Sequence, residues 1–188
     1  MRFAVLGPLS VSLDGGPVSL GGRKQRTLLA VLLLHANAVV PRGELVDALW
    51  GERPPTSAAE SLDTYVYRLR KVLGAERLLR EAGGYRLRVA PGERDIDRFD
   101  ELVTTARGAV AATDYDAAML ALSEALGLWR GPAWADELDH PAVRADAERL
   151  EEQRLGALES RLETELAIRA GRGPRCGARA ADRRASAA

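Results

Sequence analysis

The chain has 188 residues, 27 Lys and Arg against 27 Asp and Glu, 46% hydrophobic content, one cysteine and two histidines. This is a globular composition large enough for one or two cores, and it excludes a disulfide framework and leaves a metal cluster without ligands. No apolar run approaches the roughly 18 residues that span a bilayer, and the start has no signal-peptide pattern, so a cytoplasmic protein with no membrane partner is expected.

The zero net charge conceals a strong asymmetry. Residues 1–92 hold 13 basic and 8 acidic side chains, residues 93–170 hold 9 and 18, and the final eighteen hold 5 and 1. A basic part followed by an acidic one fits a DNA reader joined to a protein-contacting module, because phosphate attracts the first and repels the second.

Taken in chain order, Arg2 to Leu6, Leu9 to Leu13 and Val18 to Leu20 read as short antiparallel strands, with a turn at Asp14-Gly15-Gly16. From Arg23 to Ala36 the apolar block around Leu28 to Leu34 predicts a helix buried on most sides. Pro41 suits the first turn of a second helix, Arg42 to Leu49, with Leu45, Val46 and Leu49 inward. Pro54-Pro55 forces a loop. A third helix follows, capped by Thr56 or Ser57, with Ala59, Leu62, Val66, Leu69 and Leu73 on its buried face. Its opposite face carries Glu60, Thr64, Tyr67, Arg68 and Lys71. Gly74 ends it, and Leu78 to Arg80 and Tyr85 to Val89 predict a hairpin bent at Ala82-Gly83-Gly84. Three helices closed by a hairpin make a winged helix-turn-helix.

Beyond Pro91-Gly92 the pattern is helical over Ile96 to Ala112, Tyr115 to Leu128 and Pro141 to Arg169. The alternation of Ala118, Leu122, Ala125 and Leu126 predicts closely packed helix hairpins of a repeat module, of which about one and a half are present. The fold class is therefore α+β, a winged helix-turn-helix domain over 1–92 followed by an incomplete all-α, TPR-like domain over 93–170. Residues 171–188 hold no aliphatic larger than alanine and read as a disordered tail. The abrupt change in composition there also fits a shift of reading frame near Ile168 to Gly171.

Four segments of the first part, Arg23-Lys24-Gln25-Arg26, Val46-Asp47-Ala48-Leu49-Trp50-Gly51, Leu62 to Leu73 and Gly84-Tyr85-Arg86-Leu87, resemble the OmpR-type DNA-binding domain of Streptomyces antibiotic regulatory proteins. Asp97-Arg98-Phe99, Ala125 to Pro132, Arg149 to Glu152 and Ala157-Leu158-Glu159 are similar to the bacterial transcriptional activation domain of the same family. The resemblance implies a transcriptional activator of secondary-metabolite gene clusters. Such an activator binds tandem direct repeats of double-stranded DNA and recruits RNA polymerase through its sigma factor, in the cytoplasm at the nucleoid, with room for a homodimer on the DNA and without a phosphorylated receiver domain. It implies no cofactor. The alternative is a truncated, non-activating competitor that occupies operators or pairs with full-length relatives.

In this reading Thr64, Tyr67, Arg68, Arg70 and Lys71 are the DNA contacts of the recognition helix, Arg68 reading bases and Arg70 nearer phosphate. Tyr65 is expected to be partly packed. Arg23, Lys24 and Arg26 are candidates for backbone contacts, although three cations sit poorly at a helix's positive end without an anion nearby. Trp50, Glu52 and Arg53 are polymerase-contact candidates, with a core role for Trp50 preferred. The wing departs from the family pattern. Where relatives carry an arginine four residues before the wing tyrosine, this chain has Glu81, which puts minor-groove contact by the wing in doubt; Arg80, one residue earlier, falls on the opposite side by strand alternation and is counted with the DNA-contact candidates.

An enzyme is not expected. Gly16 and Gly21 have the outer spacing of a phosphate loop, but Gly22-Arg23 stands where Lys-Ser/Thr is required. His35, near the end of a buried helix, reads as a core residue. Asp95, Asp97, Glu151 and Glu152 read as solvated faces and caps.

Overall fold

The computed structural model describes residues 1–171, so the predicted tail lies outside the described residues apart from Gly171, the last residue of the final helix. Three antiparallel strands open the chain in sequential order: β1 (Arg2–Ala4), β2 (Ser10–Leu13) and β3 (Gly16–Val18). Asp14 and Gly15 both take positive φ, 47° and 84°, the two-residue turn that matches the twist of a hairpin. Phe3 pairs with Val11, so both side chains enter the core.

Helix α1 (Arg23–Leu34) buries every residue from Leu28 to Leu33. Next come β4 (Val39–Pro41), α2 (Arg42–Trp50), α3 (Ala58–Leu73), β5 (Leu78–Glu81) and β6 (Gly84–Leu87), with sheet order β4-β6-β5. The sequence does not announce β4. It is three residues long and ends in Pro41, which is tolerated because β4 is an edge strand. Gly84 makes room for it, since a Cβ there would collide with the Val40 carbonyl. Two details of α3 differ from expectation. Ala58, not Ala59, joins the buried stripe with Leu62, Val66, Leu69 and Leu73, because it stands one turn, four residues, before Leu62 and so continues the line to Val66. Ser57 takes the N-cap position, but its side chain makes no capping hydrogen bond.

The second part comprises α4 (Asp95–Ala111), α5 (Tyr115–Gly127) and α6 (Pro141–Gly171). Asp114 caps α5 by accepting from the Ala117 N–H at 3.0 Å. Phe99 meets Trp129 edge-to-face at 5.6 Å, fixing α4 against the chain that leaves α5.

The charge break near residue 92 does not interrupt the core, which is one cluster from Phe3 through Phe99 to Ala157. Backbone bonds tie the two parts directly. Phe3 N–H donates to the Glu93 carbonyl at 2.7 Å, Arg130 N–H to Leu6 at 2.8 Å and Trp134 N–H to Val5 at 3.0 Å. The Asp95 carboxylate accepts from Val5 and Leu6 N–H at 2.8 and 3.0 Å, so it is a partly buried staple rather than a solvated cap. Burial raises its pKa against the opposing pull of those two N–H groups. Trp134 takes φ +53°, an unfavourable left-handed conformation, held by that Val5 bond and by Nε1 donating to Asp146 at 2.8 Å. No described helix is long and apolar enough to cross a membrane.

Candidate nucleic-acid interface

The amphipathic pattern of α3 decides what it presents. With Leu62 and Leu69 fully buried, Thr64, Tyr67, Arg68 and Lys71 stand on the opposite, exposed side. Tyr67 is 57% exposed, and the Lys71 ammonium lies 4.7 Å from its ring centre, which orders both side chains. Tyr65 packs instead on Trp50, ring centres 6.3 Å apart, so the two tyrosines divide as the sequence pattern predicts. Thr64 Oγ1 donates to the Glu60 carbonyl at 3.0 Å and keeps an acceptor free for a ligand. Arg68 makes no hydrogen bond or ion pair among the described residues. Arg70 is half-buried and curls toward the helix end, Nη2 3.5 Å from the Ala75 carbonyl and Nε without a partner.

The wing is fastened to this helix by a polar brace that sequence reasoning missed. Arg42 Nη1 donates to Asp63 Oδ1 at 2.5 Å and to Tyr85 Oη at 2.7 Å, while Tyr85 Oη donates to the same Asp63 oxygen at 2.6 Å. One residue from α2, one from α3 and one from β6 thus converge on a single point. The hydrogen bond from Arg42, then that from Tyr85, lowers the Asp63 pKa, and burial, reinforced by Asp63, raises that of Tyr85. No sequence signal marks the trio, because its members are far apart in the chain.

The cations at the start of α1 are placed elsewhere. This helix has no side-chain cap and no acid in its first turn. The anions come from the turn before α6. Arg26 donates from Nε to Glu137 at 3.1 Å, and from Nη2 to Asp136 at 3.0 Å and to the Leu9 carbonyl at 2.9 Å. Thr27 Oγ1 donates to the other Glu137 oxygen at 2.9 Å, and Arg23 pairs with Asp139. Burial raises the Glu137 pKa, opposed by Thr27 and Arg26. Lys24 donates to the Leu49 carbonyl at 2.6 Å and lies 4.9 Å from the Trp50 ring centre. The structure therefore does not gather Arg23, Lys24 and Arg26 with the α3 face.

Trp50 is half-buried between Lys24 and Tyr65, whereas Glu52 and Arg53 stand in the fully exposed loop 51–57. His35 is not a core residue. It caps α1, is 45% exposed and lies 3.3 Å from Glu44. His140, remote in sequence, comes near enough to sense both Glu44 and His35, and burial lowers its pKa. No group of three or more potential metal ligands occurs among the described residues.

Comparison with known proteins accounts for both parts of the chain. Residues 15–87 match the family described as "Transcriptional regulatory protein, C terminal", and residues 94–182 match "Bacterial transcriptional activator domain". The chain is 42% identical over 167 residues to the regulatory protein AfsR of Streptomyces coelicolor, covering 88% of this chain and 17% of AfsR. It is 37% identical over 179 residues to the regulatory protein DnrI of Streptomyces peucetius, covering 89% of this chain and 66% of DnrI. Among solved structures, Mycobacterium tuberculosis EmbR in complex with a low affinity phosphopeptide superposes with a TM-score of 0.84 at 38% identity, over 91% of this chain and 46% of that one. The chain thus spans only part of the length of each of these relatives.

Proposed function

The chain belongs to the Streptomyces antibiotic regulatory protein family of transcriptional regulators, and on that premise we propose that it binds double-stranded DNA through the exposed face of α3. The observation that carries this reading is Arg68, an arginine with no hydrogen bond or ion pair among the described residues, on the outward face of a helix whose other face is fully buried. A guanidinium so placed can fork onto guanine in the major groove, while Thr64, Tyr67 and Lys71 flank it. The finer reading is an activator that occupies tandem direct repeats before a secondary-metabolite operon. It recruits RNA polymerase and its sigma factor through the exposed loop 51–57 and the acidic helical part, in the cytoplasm at the nucleoid. Retardation of promoter DNA that weakens steeply with salt is expected, and retention of random and promoter fragments alike would sink sequence-specific regulation. Sequencing the genomic fragments that the protein retains would give the site and its repeat spacing.

A second reading, a competitor that binds without activating, is favoured by one feature. Helix α6 leaves Leu155, Leu162 and Leu166 exposed at 59%, 58% and 64%, a surface left uncovered by the rest of the described chain. Reporter transcription separates the two, since expression above the empty-vector level excludes the competitor.

A further inference from the structure

At position 81, where the family resemblance implies a wing arginine, this chain has a glutamate, and the structure shows where it goes. Glu81 pairs with Arg86 at 2.8 Å on the outer face of the β5-β6 hairpin. Arg80 stands directly opposite Tyr85 in the strand register, so both side chains leave the hairpin on the face turned to α3. Tyr85 is buried there against Asp63, whereas Arg80, its direct cross-strand partner on the same face, is exposed.

Two guanidinium groups therefore approach one carboxylate. Asp63 is occupied by Arg42 at 2.5 Å and by Tyr85 at 2.6 Å, and Arg80 has no hydrogen bond or ion pair among the described residues. The Arg80 charge nonetheless reaches both groups, adding to the lowering of the Asp63 pKa that the Arg42 and Tyr85 hydrogen bonds cause and opposing the rise that burial gives Tyr85. Asp63 begins the exposed stripe that continues one turn later at Tyr67, so a duplex lying on that stripe passes the junction of helix and wing where Arg80 is held.

We propose that Arg80 is the cation of the wing, contacting a DNA phosphate at the α3-wing junction, and that Arg42 keeps it available by occupying Asp63. Arg42 acts as a positioning residue. If it is removed, Asp63 takes Arg80 in its place and withdraws that charge from the phosphate. This rests on the DNA-binding reading above and adds a residue and a coupling to it.

The test is the salt dependence of binding of the full chain to a mixed-sequence duplex of about 30 base pairs, since each phosphate contact contributes about 0.9 to the slope of log affinity against log salt. Arg80→Ala is expected to lower that slope by about 1 and low-salt affinity by roughly tenfold. Arg42→Gln should lower it as much, Arg42→Lys should largely restore it, and Arg42→Gln with Arg80→Ala should lose no more than either alone. Glu81→Gln should leave the slope unchanged. Arg80→Ala with an unaltered slope, additive losses in the double variant, or a steeper slope in Glu81→Gln would each overturn the proposal while leaving DNA binding by α3 intact. A wild-type chain that fails to retard any duplex would instead remove the DNA reading itself. Far-ultraviolet circular dichroism confirms that each variant is folded, and Arg42→Lys keeps the coupling testable if Arg42→Gln is not.

Discussion

Arg26 and Arg68 lie on two helices of the same half of the chain, and sequence patterning offers both to DNA. The fold treats them differently. Arg26 is 25% exposed and surrounded by Leu9, Asp136 and Glu137, whereas Arg68 is exposed and makes no hydrogen bond or ion pair among the described residues. The difference lies in what each helix end faces. The start of α1 is a positive pole with no anion of its own, and the acidic turn before α6 supplies it, whereas no acid among the described residues pairs with Arg68 on the exposed face of α3. A cluster of positive charge in a sequence says that an anion is needed. It does not say whether that anion is a phosphate or a carboxylate from the same chain.

The largest expected effect breaks the comparison at Arg26. Arg26→Ala leaves Glu137, whose side chain is 1% exposed, as a buried carboxylate without its cation, a loss of about 3 kcal/mol. Urea unfolding at neutral pH measures it. DNA affinity of the folded variant should change little. A variant of unaltered stability that no longer binds DNA would move Arg26 to the nucleic-acid side.

Arg68→Ala should do the converse. Stability should stay within about 0.5 kcal/mol of the parent, because an exposed side chain with no partner is removed. Discrimination between a selected site and a mixed duplex should fall by about 1 to 3 kcal/mol, or about 5- to 150-fold, as competition binding would report. A uniform loss on every sequence would assign Arg68 to phosphate instead.

Periodicity was enough to read the three helices of the winged part and the helical continuation, because the stripe Leu62, Val66, Leu69, Leu73 is local and regular. It also separated Tyr67 from Tyr65. What it missed are relations across long separations. Strand β4 exists only as a partner for β6, so Val39 to Pro41 carries no pattern of its own. Asp63 looks like one more surface acid until Arg42 and Tyr85 are brought to it, 21 and 22 residues away. Asp95 reads in the sequence as a solvated cap and Glu137 carries no pattern of its own, yet their partners lie about 90 and 110 residues earlier in the chain. Strand alternation separated Arg80 from Glu81, but not which of the two faces α3.

The smallest expected effect sharpens the comparison through acid, because the two carboxylates respond with opposite sign. The Asp63 pKa is lowered in the fold, so its contribution is present at neutral pH and is lost as pH falls through that lowered value. The Glu137 pKa is raised by burial, so its contribution is fully present below its unfolded value and is lost as pH rises through the raised one. The stability difference between wild type and Asp63→Asn should therefore shrink on acidification, and that between wild type and Glu137→Gln should grow. Each slope should be less than the about 1.4 kcal/mol per pH unit carried by one whole proton, and smaller for Asp63, whose side chain is 47% exposed and screened by water. Urea midpoints collected between about pH 3 and 7 would measure both. Slopes of the same sign would mean that Arg26 outweighs burial at Glu137, making the inter-part contact a simple ion pair of the same kind as the one at the wing.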